Sequence, residues 1–349
     1  MQNNFSKLII NHALPPNDTY PDEHRTTNSA LQLINKLKIP YFRKILKLNP
    51  QCFKKIQSPD ALNTPTEEAT ARAMGWDSVE GELPFAALKA AELGLHAPSE
   101  MTQGSWAFIT LCSWHVQHGQ VTFRGDANAV GLTQTESDHV LHDMKAYFQE
   151  DSVHLISHPK LKPGQWLAYS EHFNGLASAS LARVSGRVID DFLIGTGKSK
   201  GHKSERTLRR LQNEMQMLLH QHSINDQKSM PINSFWISGT GQFKAAQDSK
   251  QTILENYQRI QSFDVWTSEM ELVHSDEQKW AEIWSREWER LDESVIKIYL
   301  DYFLNLSPDA EISLCNDTTC ITLTPFKSQW VSGFKNLFKS SKITRQLGL

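Results

Sequence analysis

Residues 213–226 (NEMQMLLHQHSIND) and 231–241 (PINSFWISGTG) carry the strongest structural signal in the chain. The first segment ends a pattern that begins at residue 204, in which side chains recur every three or four positions along one face of a helix. That face carries Leu208, Leu211, Met215, Leu218 and His222. The second segment is an apolar run closed by a glycine-rich turn. The sequence therefore predicts a helix over 204–222 and a strand over 231–237.

Composition limits the class of protein. The chain has 349 residues, of which 39% are hydrophobic and 21% charged, with a net charge of -3. This is a globular composition, and at about 150 residues per domain it predicts two to three units. A net charge near zero gives no global field that would attract nucleic acid or anionic lipid. We therefore expect no nucleic-acid partner and no membrane partner.

Cysteine usage and hydropathy predict a cytoplasmic protein. Cys52, Cys112, Cys315 and Cys320 form no CxxC pair, and four thiols are too few to staple so long a chain. The apolar run that follows Lys7 is too short for a secretion signal, and no run approaches 18 apolar residues.

Further elements surround the first segment. Apolar runs predict strands over residues 7–10, 106–111, 119–123, 153–156, 166–169 and 311–314, and periodicity predicts a long helix over about 276–304. Thr133 with Glu136 three residues later predicts a capping box at a helix start. Trp280, Trp284 and Trp288 recur every four residues, which predicts core packing, with a groove for a protein partner as the alternative.

The segments 213–226 and 231–241 resemble the signature of the RpfE-type regulatory protein family. They are also similar to the "NE…HPVN…PAN-x-x-W-x-WG-x-G" block of archaeal-type, cofactor-independent phosphoglycerate mutases, members of the alkaline-phosphatase superfamily. Weaker parallels follow in the same order, at residues 106–111, 133–147, 183–187, 288–293 and 310–317.

The resemblance implies an α/β fold, namely a reduced alkaline-phosphatase-like core with an inserted α+β domain. Residues 1–99 and 246–349 would form the degenerate core, and residues 100–245 the inserted mutase-like domain.

Departures from the mutase pattern remove the chemistry that the family needs. A mutase of this type uses two divalent metals and a nucleophilic serine. The first strand should end in Asp-Gly but ends in Asn11-His12, and Thr318 replaces a histidine after Asp317. Residues 271–276, which include His274, do not match the expected "DxxGH" metal segment. We therefore expect no metal, no cofactor and no catalytic residue.

The retained block suggests a ligand pocket. Asn225, Asn233 and Trp236 are its candidate residues, with Arg183 and Arg187 as candidate contacts to an anion. The alternative is structural: the two asparagines would cap turns through their side chains, and the tryptophan would lie in the core.

These observations predict a non-catalytic regulatory or binding protein, a pseudoenzyme, that recognises a small phosphorylated or anionic metabolite or a protein partner. One alternative is an active, metal-dependent phosphoglycerate mutase-like phosphotransferase with rearranged ligands. Another is a structural module for protein–protein interaction.

Other motifs give weaker signals. Residues 194–199 (IGTGKS) lack the first glycine of a phosphate-binding loop, because Phe192 stands in its place. The basic run over 198–210 at a helix start is interpreted as a solvated face, with a phosphorylated ligand as the alternative. Histidine pairs at 115/118, 139/142, 154/158 and 220/222 have no cysteine nearby and are interpreted as ordinary surface histidines rather than zinc ligands.

Overall fold

The computed structural model describes nine segments of the chain: residues 6–14, 37–48, 50–76, 79–101, 103–226, 228–243, 250–273, 275–305 and 309–325. Within these segments the chain forms ten α-helices: α1 (Pro40–Lys47), α2 (Pro65–Ala73), α3 (Phe85–Glu92), α4 (Gln134–Glu150), α5 (Leu181–Val184), α6 (Glu205–His220), α7 (Lys250–Gln258), α8 (Ser268–Leu272), α9 (Glu277–Leu291) and α10 (Lys297–Leu304).

The same described segments form ten strands: β1 (Lys7–Asn11), β2 (Gln51–Ile56), β3 (Ser105–Gln117), β4 (Gln120–Asp126), β5 (His154–Ile156), β6 (Gln165–Ser170), β7 (Ser234–Ser238), β8 (Ile260–Asp264), β9 (Glu311–Cys315) and β10 (Thr319–Thr324). The described segments combine ten helices with two sheets, so the predicted α/β class is confirmed.

The chain divides into two compact units. Unit 1 contains residues 1–59, 65–74 and 255–349, and unit 2 contains residues 60–64 and 75–254. The segment 75–99 therefore belongs to unit 2, although the sequence assigned it to the degenerate core.

Unit 1 is built on a five-stranded sheet in the order β2-β10-β9-β1-β8. Strands β9, β1 and β8 are parallel, and β10 and β2 add antiparallel pairs at one side. The middle of β1 is fully buried, which agrees with an apolar strand covered on both faces. Because the three parallel strands run together, Asn11 and Asp264 face each other where β1 and β8 end.

The tryptophan helix packs inside unit 1. Trp284 and Trp288 on α9 are buried, and their indole N–H groups donate to the carbonyls of His12 and Ala13, at 2.9 and 3.0 Å. The predicted core packing of these two rings is confirmed. A π-helical turn at Asp292–Ile296 joins α9 to α10, and the carboxylate of Asp292 accepts the first free N–H groups of α1.

Unit 2 is built on a second sheet, in the order β4-β3-β6-β5, with β7 also paired to β3. All of its pairings are antiparallel. One face of this sheet packs against α4 and α6, in a core that includes Val140, Met144, Leu211 and Phe235. The helix predicted over 204–222 and the strand predicted over 231–237 are both present, as α6 and β7.

Three strands were missed by the sequence analysis: β2, β8 and β10. Strands β2 and β8 are mostly exposed or half-exposed, so they lack the apolar run that identifies a buried strand.

Among the described residues, no helix is both long and apolar enough to cross a lipid bilayer.

Candidate functional site

A cleft of about 530 Å³ opens in unit 2. This volume lies in the range of small-molecule sites. Its walls come from one face of α3, the start of β3, the end of β6 and the segment that follows β7. The described lining residues are Ala87, Ala90, Ala91, Leu95, Ala97, Gln103, Gly104, Ser105, Trp106, Tyr169, Asn174, Gly241, Gln242, Phe243 and Lys250.

Glycines let two backbone segments meet at the cleft. A Cβ atom on Gly241 would lie 2.0 Å from the carbonyl oxygen of Glu82, and one on Gly104 would lie 2.7 Å from the ring of Tyr169. Gly239 also has a positive φ of 70°, which favours glycine. The turn over 238–241 therefore packs directly on the chain that enters α3, and larger residues there would displace it.

Aromatic rings form one wall of the cleft. Trp106 and Tyr169 are cross-strand neighbours on β3 and β6 and meet edge to face, with ring centroids 5.2 Å apart. Burial raises the pKa of the Tyr169 hydroxyl, so this group stays neutral and can donate a hydrogen bond. The wall offers a flat apolar surface with a polar edge.

Amide and hydroxyl groups also line the cleft. Asn174 Oδ1 accepts hydrogen bonds from Ser105 Oγ and Gln242 Nε2, each at 2.7 Å. Gln242 Nε2 also reaches the carbonyl oxygen of Gly104 at 3.2 Å. These bonds fix the orientation of the Asn174 amide, because its oxygen is held by two donors and its two N–H groups face the other way.

One cation stands at the cleft. Lys250, the first residue of α7, is exposed, and its Nζ lies 3.1 Å from His96 Nδ1 and 3.4 Å from the carbonyl oxygen of Leu95. Among the described lining residues there is no carboxylate to neutralise it. The local charge of the cleft therefore favours an anion.

Among its described residues, the lining provides no activated nucleophile. The Ser105 hydroxyl donates to an amide oxygen, which is too weakly basic to take its proton. The described lining contains no imidazole, carboxylate or thiol that could act as a base. The arrangement can bind and orient a ligand by shape, hydrogen bonds and one positive charge.

A second polar cluster lies in unit 1, where the parallel strands end. His12 follows β1 with a positive φ of 50°, and its Nδ1 lies 2.7 Å from Oδ1 of Asp264, the last residue of β8. The ring of Trp266 packs on the His12 imidazole, with centroids 5.3 Å apart. Ligands of open α/β sheets bind at this edge of the sheet.

Asp264 is held by several donors. Its Oδ1 also accepts the Trp266 N–H at 2.8 Å, and its Oδ2 accepts Asn11 Nδ2 at 3.2 Å. Burial alone would raise the pKa of Asp264, but the hydrogen bond and charge of His12 outweigh it and hold that pKa below its usual value. The carboxylate therefore orients the His12 ring and keeps its negative charge.

Further polar groups of this cluster come from α2 and from the residues between β9 and β10. Thr66 Oγ1 donates to Asn11 Oδ1 at 2.8 Å, and His12 Nε2 lies 3.9 Å from Asp317 Oδ1. Each oxygen of Asp264 accepts a hydrogen bond from an N–H group of the protein. His274, in the segment expected to bind metal, lies outside the described residues.

The five residues predicted for a pocket do not line the described part of the cleft. Arg183 is buried in unit 2, with Nη2 2.5 Å from the carbonyl oxygen of Asn63. Trp236 is buried near it, and its Nε1 donates to the carbonyl oxygen of Ala179 at 2.7 Å. Arg187 is half-buried, and its backbone pairs with Phe123 and Val184.

The two asparagines hold backbone segments together. Asn225 donates to the carbonyls of Leu219 and Ile232 and accepts the Ile232 N–H, each at 2.8 Å. Asn233 exchanges two hydrogen bonds of 2.8 Å with the backbone of Trp114 on β3. Their side-chain amides bond to the backbone, as expected if the asparagines stabilise turns. A role of these residues in ligand binding stays a prediction.

Sequence reasoning missed most of the cleft and the pairing of His12 with Asp264. Trp106 and Gly241 lay inside segments that had been singled out, but nothing local linked them to Lys250. Asp264 belongs to a strand without an apolar signature. The Asn11-His12 ending of the first strand was a local signal of the unit 1 cluster. The sequence analysis interpreted this ending as the loss of a metal ligand.

Comparison with known proteins does not identify a family for this chain. A scan against protein families finds no match, and no curated protein matches. Among solved structures, the chain is similar to the cofactor-independent phosphoglycerate mutase from Thermoplasma acidophilum DSM 1728, with 12% identity and a TM-score of 0.34. The similarity covers 91% of this chain and 89% of the mutase chain. A likeness at this level does not bear on activity.

Proposed function

We propose that this chain is a non-catalytic binding protein, of a regulatory kind, that takes a small anionic metabolite in the cleft of unit 2. The observation that carries the proposal is the chemistry of the described lining, which combines one ammonium group, amides, hydroxyls and aromatic rings with no carboxylate. A carboxylate or phosphate on the ligand would pair with Lys250, and a planar or apolar body would pack on Trp106 and Tyr169.

The absence of a base beside Ser105 in the described lining supports binding without turnover. The resemblance of residues 213–226 and 231–241 to the mutases and to the RpfE-type family supports descent from a phosphate-handling ancestor. On this proposal the scaffold keeps a ligand cleft and has lost the phosphoryl-transfer chemistry.

Isothermal titration with 3-phosphoglycerate, AMP and 4-hydroxybenzoate tests the binding site. We expect saturable binding of at least one of these probes to the full chain. Lys250→Ala should weaken it about tenfold or more, because a charge-assisted hydrogen bond contributes about 1.5–3 kcal/mol. Lys162→Ala removes an exposed lysine of the same unit outside the cleft and should leave the affinity unchanged.

Two results would count against this function. One is that none of the three probes binds the wild-type chain. The other is an affinity that Lys250→Ala and Trp106→Ala leave unchanged. If phosphorus NMR shows that a phosphorylated probe is converted during the titration, the non-catalytic part of the proposal is contradicted.

A second candidate function is favoured by the His12–Asp264 pair in unit 1. A carboxylate that orients an imidazole is the arrangement of a general base, and the backbone of His12 is held in an uncommon conformation. This candidate is a mutase-like phosphotransferase or hydrolase. Phosphoglycerate interconversion or phosphate-ester hydrolysis that exceeds the rate of the His12→Ala variant would establish it, and equal rates would exclude it.

A further inference from the structure

Two histidines and an aspartate meet on the surface of unit 2. His139 and Asp143 lie one turn apart on α4, and His222 follows the end of α6. Each residue offers one ligand atom, and the three atoms lie within 4.8 Å of one another. The sequence had grouped His139 with His142 and His220 with His222, whereas the fold brings together one member of each pair.

Two of the three ligand separations match a tetrahedral metal site. Asp143 Oδ2 lies 3.2 Å from His222 Nε2 and 3.6 Å from His139 Nε2. With zinc bonds of about 2.0–2.1 Å, neighbouring ligand atoms of a tetrahedron are about 3.4 Å apart. Binding an ion therefore requires shifts of a few tenths of an ångström in these two separations. The separation between the two histidine ligand atoms is at most 4.8 Å, so the exposed His139 ring has to move toward His222 by up to about 1.4 Å.

The ligands sit on fixed elements. His222 is buried, while His139 is exposed and Asp143 is half-exposed, so the cluster is held on one side and open to solvent on the other. The rings of His139 and His222 meet edge to face, with centroids 4.8 Å apart. His139 and Asp143 project from a packed helix, which favours a precise site, and His222 is held in the connection that follows α6.

The hydrogen bonds of His222 set the cost of metal binding. Its Nδ1 accepts the Ile224 N–H at a long 3.3 Å, so the ring proton lies on Nε2, facing Asp143. A metal at Nε2 displaces that proton, and the neutral ring then carries its proton on Nδ1. The hydrogen bonds of the ring to Ile224 and Asp143 are lost, and two metal–nitrogen bonds and one metal–oxygen bond are gained.

We propose that His139, Asp143 and His222 form a zinc-binding site that ties α4 to the end of α6. Two imidazole nitrogens and one carboxylate oxygen are a ligand set that zinc accepts, with water in the fourth position. The site lies outside the cleft, and its ligands are absent from the described cleft lining, so it is independent of the proposed function.

The test is a titration of the full chain, freed of metal by chelator and dialysis, with ZnCl₂ and separately with Co²⁺. We expect one equivalent of zinc per chain and the visible absorption of tetrahedral Co²⁺. His139→Ala changes an exposed residue and Asp143→Asn is isosteric, so both should fold. Each should weaken binding about tenfold or more.

His142→Ala is the matched control, because His142 is an exposed histidine on the same helix outside the cluster. It should bind zinc as tightly as the wild-type chain. The proposal is overturned if no saturable zinc binding occurs. It is equally overturned if His139→Ala and Asp143→Asn bind like the wild type, because the ion would then be held by other surface histidines.

Discussion

At Asn225, a single side-chain amide closes the turn between α6 and β7 with three hydrogen bonds. The sequence left two roles open for this residue, in a pocket or in a turn. The observed bonds lie within the chain, and the amide resides beside the core of unit 2 rather than in the cleft.

Asn225→Ala should therefore lower the free energy of unfolding of unit 2 by about 2–3 kcal/mol, since several backbone groups lose their partner. Urea denaturation monitors the change. Asn213→Ala, at an exposed position on α6, is the control and should stay within about 0.5 kcal/mol of the wild type. An unchanged stability with lost ligand binding would instead support the pocket role.

Asp264 gives a pH-dependent prediction. Its folded-state pKa is lowered, mainly by the hydrogen bond from His12 working against burial. The stability that it contributes is present above the ordinary aspartate pKa of about 3.9 and is lost as pH falls through the lower folded value.

The stability difference between the wild type and Asp264→Asn should thus shrink as pH is lowered from about 5 to below about 3.9. Urea midpoints at a series of pH values measure it. In a His12→Ala background the same substitution should show a weaker pH dependence. A difference that stays constant with pH in the wild-type background would show that His12 does not hold the carboxylate.

Among the elements, α4 was predicted most completely. Thr133 accepts the Glu136 N–H, and the Glu136 side chain returns to the Thr133 N–H, as the capping box required. The Thr133 N–H and Lys228 together lower the pKa of Glu136 to about 2. Local sequence was sufficient here because both partners lie within one helical turn.

Thr133→Ala should destabilise unit 2 by about 1 kcal/mol, the usual cost of a lost N-cap. Thr135→Ala, two residues further along the same helix and exposed, should change the free energy of unfolding by less than about 0.5 kcal/mol. Equal effects of the two substitutions in urea denaturation would contradict the role of the cap.

The other elements were predicted unevenly, for a physical reason. Helix α6, strand β7 and the long α9–α10 pair carry apolar periodicity, so they were recognised. Strand β8 forms at one edge of its sheet by pairing with β1 and contributes few buried side chains of its own. Its existence depends on a partner more than 250 positions away in the chain.

At the scale of the whole molecule, each unit contains its own buried cluster. Phe303 is fully buried in unit 1, and Phe235 is fully buried in unit 2. The predicted domain limits at residues 99 and 246 remain a prediction, and the division by contacts falls elsewhere because residues 75–99 pack with unit 2.

Phe303→Ala and Phe235→Ala are matched truncations, each expected to cost about 3–5 kcal/mol. If the units unfold separately, each variant should shift a different calorimetric transition. A single transition, shifted equally by both variants, would show that the two units unfold together.

The sequence by itself determined the main helices, the capping box and the buried tryptophan helix, because these depend on spacing within one element. The α/β class was implied by the family resemblance. Only the tertiary structure decided which polar groups meet. His12 with Asp264, Lys250 with the Trp106 wall, and His139 with His222 come from separate elements. Strand pairing and helix packing bring such residues together. The spacing of residues within one element does not predict which elements will meet.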